Sequence, residues 1–182
     1  MYKTLVALLF SLCSLTAFTG ELAKNAQETQ PAQVGEKLVE TSTFTAKGKQ
    51  ITTKKILAKK NAVFVFFRGQ WCPYCMKQLI GLKALKKDLK KAKAKLYVIS
   101  AEGPKKSRKL QKRFKNDFTV ISDKDASLMK AFGVGFNSSR GVLPVPALYL
   151  INQKAEIVFA HYDRNYSKRL SVEEVKTALK KF

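Results

Sequence analysis

Cys72 and Cys75 stand two residues apart in "FVFFRGQWCPYCMKQL", Phe64 to Leu79. Thiols at that spacing can cycle through a disulfide, share a metal, or serve as a static cross-link. Zinc takes four ligands, often from paired C-x-x-C motifs or C-x-x-C with two His. Beyond this pair the chain offers only Cys13 and His161, so no metal is expected. A c-type haem site needs His directly after the second Cys; Met76 stands there. A static disulfide over so short a loop restricts the unfolded chain little. Redox chemistry fits best, since it needs an attacking thiol of low pKa and a resolving thiol within reach.

Position strengthens that expectation. "AVFVFF", Ala62 to Phe67, is a continuous apolar run, the pattern of a strand buried on both faces. From Pro73 the period changes: Met76, Leu79, Ile80, Leu82, Leu85 and Leu89 recur at helical steps, with lysines between them. The motif thus sits where a strand ends and a helix begins. Free N–H groups and partial positive charge at a helix start stabilise a thiolate. Cys72 is expected at the cap and Pro73 at the first helical position, where its missing N–H costs nothing. Cys75 follows within one turn. Arg68 and Lys77 add positive charge. Cys72 is therefore assigned as nucleophile and Cys75 as resolver.

The surrounding elements follow from periodicity and punctuation. "VETSTFTAKGKQIT" predicts a hairpin turned at Gly48. "LYVIS" and "FTVIS" predict core strands, and "KKSRKLQKRFK" a helix with Leu110 and Phe114 inward. "DASLMKAF" predicts a short helix stopped by Gly133, with Asp123 and Asp125 capping and turning. "PALYLIN" and "AEIVFAHY" predict two strands joined near Asn152 to Lys154. Ser171 and Glu174 form a capping-box pattern that opens a last helix. Alternation of this kind predicts an α/β fold: one central mixed sheet with helices on both faces and an antiparallel edge. The length suits one domain.

Residues 1–23 read as a secretory signal: Lys3, then the uncharged run Leu5 to Phe18. That run falls short of the roughly 20 residues of a membrane span. Cleavage is expected between Ala17 and Ala23; an uncleaved anchor is the rival, and membrane contact is expected only through it. Cys13 in "FSLC" lacks the small residue that precedes a lipidated cysteine. Residues 24–34, polar with Pro31, read as a linker, and 35–182 as the domain. An exported chain meets an oxidising compartment, where a lone cysteine pair tends to become a disulfide.

Lys and Arg number 35 against 13 Asp and Glu, a net charge of +22. Charge alone gives weak attraction to polyanions and identifies no partner. Single-strand nucleic-acid binding wants aromatics interleaved with the cations, and the lysine-rich helix after Pro73 has none on that face. No specific nucleic-acid role is expected.

Larger blocks now become recognisable. "WCPYC" after "FVFF" resembles the active site of thioredoxin-fold proteins, and "CPYC" that of glutaredoxins. "VGEKL", "VFFRGQWCPYC", "ISDKDASLMKAFGV" and "LPVPALYLINQKAEIVFAHYD", with "KRL" before the last helix, resemble the peroxiredoxin-like branch of the AhpC/TSA family from Val34 to the C-terminus. The resemblance implies a thioredoxin-like fold, antioxidant or oxidoreductase activity, and no cofactor. It also implies that Pro146 is a cis-proline facing the cysteines, beside the active-site neighbours Arg68, Trp71 and Pro73. There is one departure. Typical peroxiredoxins carry P-x-x-x-T-x-x-C; by spacing the Pro falls on Arg68, the Thr on Cys72 and the attacking Cys on Cys75. The loss of that Thr keeps Cys72 as the preferred nucleophile. An activating Arg is not fixed by spacing; Arg140 is a candidate. His161 is expected to pack, and Tyr162, Asp163 and Arg164 match a family-like stretch without a chemical role.

The expected activity is that of an exported thiol oxidoreductase acting on a hydroperoxide or a protein disulfide through a Cys72–Cys75 disulfide. An external dithiol, reached through a thioredoxin-like relay, restores it. The rivals are a disulfide exchanger without peroxidase activity, and a basic polyanion-binding domain with a structural disulfide.

Overall fold

The computed structural model describes residues 20–182. The expected signal segment lies almost wholly outside the described residues. Chain order is β1 (Ser42–Thr45), β2 (Gln50–Thr52), α1 (Thr53–Leu57), β3 (Asn61–Phe66), α2 (Pro73–Leu82), α3 (Lys86–Lys91) and β4 (Ala94–Ser100). Then come α4 (Pro104–Arg113), β5 (Thr119–Ser122), α5 (Ser127–Ala131), β6 (Gly135–Ser138), β7 (Gly141–Pro144), β8 (Ala147–Ile151), β9 (Ile157–Tyr162) and α6 (Val172–Ala178). Seven strands form one mixed sheet in the order β2-β1-β5-β4-β3-β8-β9, and β6 and β7 pair separately. The parallel neighbours are β3 with β4 and β4 with β5.

Period-two alternation along β3 divides the interior into two cores. Val63, Val65 and Phe67 face one side, where Leu79, Leu82, Leu110 and Val175 from α2, α4 and α6 cover them. Ala62, Phe64 and Phe66 face the other, against Leu128, Met129, Phe132 and Tyr149. Phe132 stacks obliquely on Tyr149 with ring centroids 4.6 Å apart. Both cysteines belong to the first core.

The expected hairpin turns at Gly48, whose φ of +84° needs a glycine. The long helix expected after Pro73 is broken: a 3-10 turn over Lys83–Leu85 separates α2 from α3. Residues three apart eclipse in a 3-10 turn, so Leu82 and Leu85 both stay buried. The β6–β7 hairpin and α1 are additions to the predicted order. The stretch 24–34 lies on the body of the fold. Asn25 caps a short 3-10 turn, Ala32 N–H donates to Phe132 O, and Ala32 is buried.

Candidate active site

Helix α2 begins as its sequence requires. Cys72 is extended at the cap (φ −88°, ψ 111°) and Pro73 takes the first turn. Cys72 Sγ accepts the Cys75 N–H at 3.3 Å, as a capping oxygen would. The two side chains are free thiols, 2% and 0% exposed.

The charge pattern departs from the sequence expectation. Arg169, on the loop before α6, donates from Nη2 to Cys75 Sγ at 3.2 Å. Cys75 is held below the ordinary thiol pKa, first by a hydrogen bond from the Cys72 thiol, then by the Arg68 backbone N–H and the Arg169 charge, against burial. Cys72 is pushed up, because its S–H donates a hydrogen bond to Cys75 and it is itself buried. The pair therefore behaves as one acid. Its first proton leaves the negative charge on Cys75, beside the guanidinium, while Cys72 keeps its own. The cap position alone predicted the reverse. The Cys72 hydrogen bond first, then the Arg68 backbone contact and the full charge of Arg169 at contact distance, oppose the roughly half charge of the helix end.

Arg169 was missed from sequence. It lies 94 residues from Cys75, in the "KRL" that precedes the capping box. The capping box itself is present: Ser171 Oγ accepts the Glu174 N–H and Glu174 Oε2 accepts the Ser171 N–H. It fixes the start of α6 two residues after Arg169.

The other expected residues gather around the motif with different roles. Arg68 lies between two aromatic faces, 5.2 Å from the Trp71 ring and 5.0 Å from that of Tyr166. Arg140 sits in the β6–β7 turn over Trp71, at 4.7 Å, so its charge serves the indole and the sulfur contact belongs to Arg169. Trp71 lies across the Gly69 backbone so closely that a Cβ there would meet indole Nε1 at 2.5 Å; any larger residue would displace the indole. Lys77 is exposed and lines the groove beside Arg169. Pro146 is buried and shares a small cavity of about 90 Å³ with Arg68 and Tyr166. The cis bond implied for Pro146 is absent: every peptide bond among the described residues is trans. The proline leads directly into β8, whose Ala147 pairs with Phe66 of the central strand, so the chain enters extended.

Asp123 caps as expected: its buried carboxylate accepts the N–H groups of Leu128 and Met129. His161 sits half-buried on β9 opposite Leu148, and burial lowers its pKa. The Tyr162-Asp163-Arg164 stretch acts as a clasp. Asp163 N–H donates to Pro146 O and Arg164 Nη2 to Thr29 O.

Three of the four buried side-chain polar atoms without a hydrogen-bond partner among the described residues belong to this region: Arg68 Nε, Gln78 Oε1 and Arg169 Nε.

A two-thiol site at a strand-to-helix junction, set in a mixed sheet covered on both faces, defines a thioredoxin-like thiol enzyme. The solved structures agree. Peroxidoxin BcpB from Mycobacterium tuberculosis superposes with a TM-score of 0.71 at 17% identity, over 82% of this chain and 95% of its own. PrxQ from Xylella fastidiosa, solved as a cysteine-to-serine mutant, superposes at 0.69 and 19% identity, over 83% of this chain and 97% of its own. The AhpC/TSA family profile matches residues 34–160, and the chain belongs to that family. Among curated relatives, the thiol-disulfide oxidoreductase ResA of Halalkalibacterium halodurans is 25% identical over 131 residues, 71% of this chain and 69% of that protein. Chloroplastic peroxiredoxin Q of Populus jackii is 26% identical over 127 residues, 70% of this chain and 58% of its own.

Proposed function

We propose that the protein is an exported, antioxidant thiol peroxidase that cycles through a Cys72–Cys75 disulfide, with Cys75 rather than Cys72 as the attacking sulfur. The Arg169 contact to Cys75 carries this assignment. The Cys75 thiolate attacks the terminal oxygen of a hydroperoxide, the O–O bond breaks, and the alcohol (or water) leaves with a proton. Cys75 becomes a sulfenic acid. Cys72 loses its proton and attacks Cys75 Sγ, water leaves, and the disulfide closes. An external dithiol supplies two electrons and two protons to reset the pair. Cys75, the attacking sulfur, is fully buried, which favours a small oxidant over a protein disulfide in the first step.

A second use of the same pair, exchange with protein disulfides, is favoured by the C-x-x-C spacing and by the similarity to ResA. Export is supported by the apolar run Leu5 to Phe18. Cell fractionation of the full chain, with N-terminal sequencing of the recovered form, tests it.

The deciding experiment mixes reduced protein with limiting hydrogen peroxide in stopped flow and follows peroxide and thiol loss. Cys72→Ser should keep one rapid turnover and Cys75→Ser should lose it. The opposite pattern restores Cys72 as nucleophile. Slow consumption by all three proteins would leave disulfide exchange.

A further inference from the structure

The surface around the cysteine motif has the composition of a binding hot spot. Trp71, Tyr74 and Tyr166 are exposed by 44%, 45% and 52%. Tyr74 and Tyr166 meet edge to face, with centroids 5.8 Å apart. Trp, Tyr and Arg dominate the energetics of protein interfaces, above all where they are held rigid before binding. Trp71 is held on three sides, by the Gly69 backbone and by the guanidinium groups of Arg68 and Arg140.

Next to it runs a cleft of about 560 Å³ between the start of α4 and the β6–β7 hairpin. Arg68, Lys105, Lys106, Lys124 and Arg140 line it. Its one carboxylate, Glu102, is engaged by the backbone and side-chain amides of Gln70. Lys124 pairs with Asp125; Lys105, Lys106 and Arg140 have no ion-pair partner among the described residues. The N-cap of α4 is Gly103, which offers no side-chain acceptor, so the helix end adds to the positive field.

We propose that this face docks an acidic protein dithiol, which acts as the electron donor; this rests on the thiol cycle proposed above. The partner sets an apolar flank against Trp71 and its carboxylates in the cleft. Its thiolate attacks Cys72 Sγ, the cysteine adjoining Trp71. The Cys72–Cys75 bond breaks and Cys75 leaves as the thiolate that Arg169 holds; a better-stabilised leaving thiolate departs faster. The partner's second thiol then attacks the mixed disulfide, Cys72 leaves and takes up a proton, and the partner departs oxidised. Two electrons pass from partner to protein.

The test follows reduction of the disulfide form by thiol titration, using three reductants. They are a thioredoxin of net negative charge, a variant of it with the acidic residues around its cysteines changed to Lys, and dithiothreitol. Charge steering raises association rates by about 10- to 1,000-fold and fades with salt. The acidic thioredoxin should therefore react at least about tenfold faster than its charge-reversed form at low salt, and lose that advantage as NaCl rises. Lys105→Glu/Lys106→Glu should abolish the advantage, leaving the dithiothreitol rate and the circular-dichroism spectrum unchanged. Equal rates with the two thioredoxins, or a fast salt-independent rate in the double variant, would overturn the docking. So would anionic phosphatidylglycerol vesicles that bind the wild type but not the double variant while the thioredoxin rates stay equal; they would assign the cleft to a lipid surface. Absence of any disulfide after peroxide treatment would refute the thiol cycle itself, which the dithiothreitol control reads separately.

Discussion

A hydrogen bond from Cys72 and the guanidinium of Arg169 both bear on Cys75. Arg169 was invisible to periodicity and spacing because its partner is 94 residues away and only the closed fold joins them. The two thiols, Arg68, Trp71 and Pro73 were legible because they are contiguous. Their order of reactivity was not, since it depends on which sulfur the distant charge touches. Arg169→Met should raise the pKa of Cys75 toward the free-thiol value of about 8.5. A depressed pKa keeps the wild-type thiolate present at neutral pH and removes it only as pH falls through the folded value. Iodoacetamide alkylation of the reduced Cys72→Ser protein, followed from pH 5 to 9, checks this. Wild-type Arg169 should place the midpoint below that of the Arg169→Met partner. At pH 7 the Met variant should react several-fold more slowly, with a few per cent of its thiol ionised. Coincident midpoints would remove Arg169 from the mechanism.

The elements that position these residues divide by how much of their cause is local. β3, β4 and β8 were readable because strands buried on both faces are apolar throughout, and α6 because its capping box is a local pattern. The β6–β7 hairpin was not, because its strands are short and half polar. Its support is tertiary: Ala23 bridges to Phe136 on one side. The break between α2 and α3 was equally hidden, since Leu82, Leu85 and Leu89 fit a continuous helix as well as an interrupted one. Helix α2 is held to the sheet by Leu79, which is fully buried against the first core. Leu79→Ala should cost about 2–5 kcal/mol in urea unfolding. Ser171→Ala removes the α6 cap and should cost about 1 kcal/mol. Because α6 starts two residues after Arg169, the same variant should also raise the thiol midpoint, which Leu79→Ala need not do. A cap variant that loses stability with no change in alkylation would show that Arg169 is held by its own loop instead.

At the scale of the molecule, charge is the dominant departure from the ordinary. The net charge is +22, and the described residues contain two ion pairs, Lys83–Asp117 and Lys124–Asp125. Like charges in such excess repel one another in the compact state, and salt screens them over about 10 Å at 0.1 M. The melting temperature should therefore rise as NaCl goes from low millimolar to a few hundred millimolar. A flat or falling curve would mean that local pairing offsets the excess. Sequence showed this charge in full but not its placement.

The clasp that ties Arg164 to Thr29, with the bridge from Ala23 to Phe136, has a consequence for where the chain can be shortened. Ala26 walls the small cavity under Arg68 and Pro146, so the stretch before Gly35 forms part of the floor beside the cysteine motif. A protease that trims up to Gly20 leaves the Ala23 bridge and the cavity wall whole. One that trims to Gly35 takes away the wall and the Thr29 carbonyl together. A recombinant protein starting at Glu21 should match the longest form in melting temperature and peroxide turnover, and one starting at Gly35 should fall in both. The useful N-terminal limit of this enzyme is thus set by its folded body, some ten residues ahead of the first residue that the family profile matches.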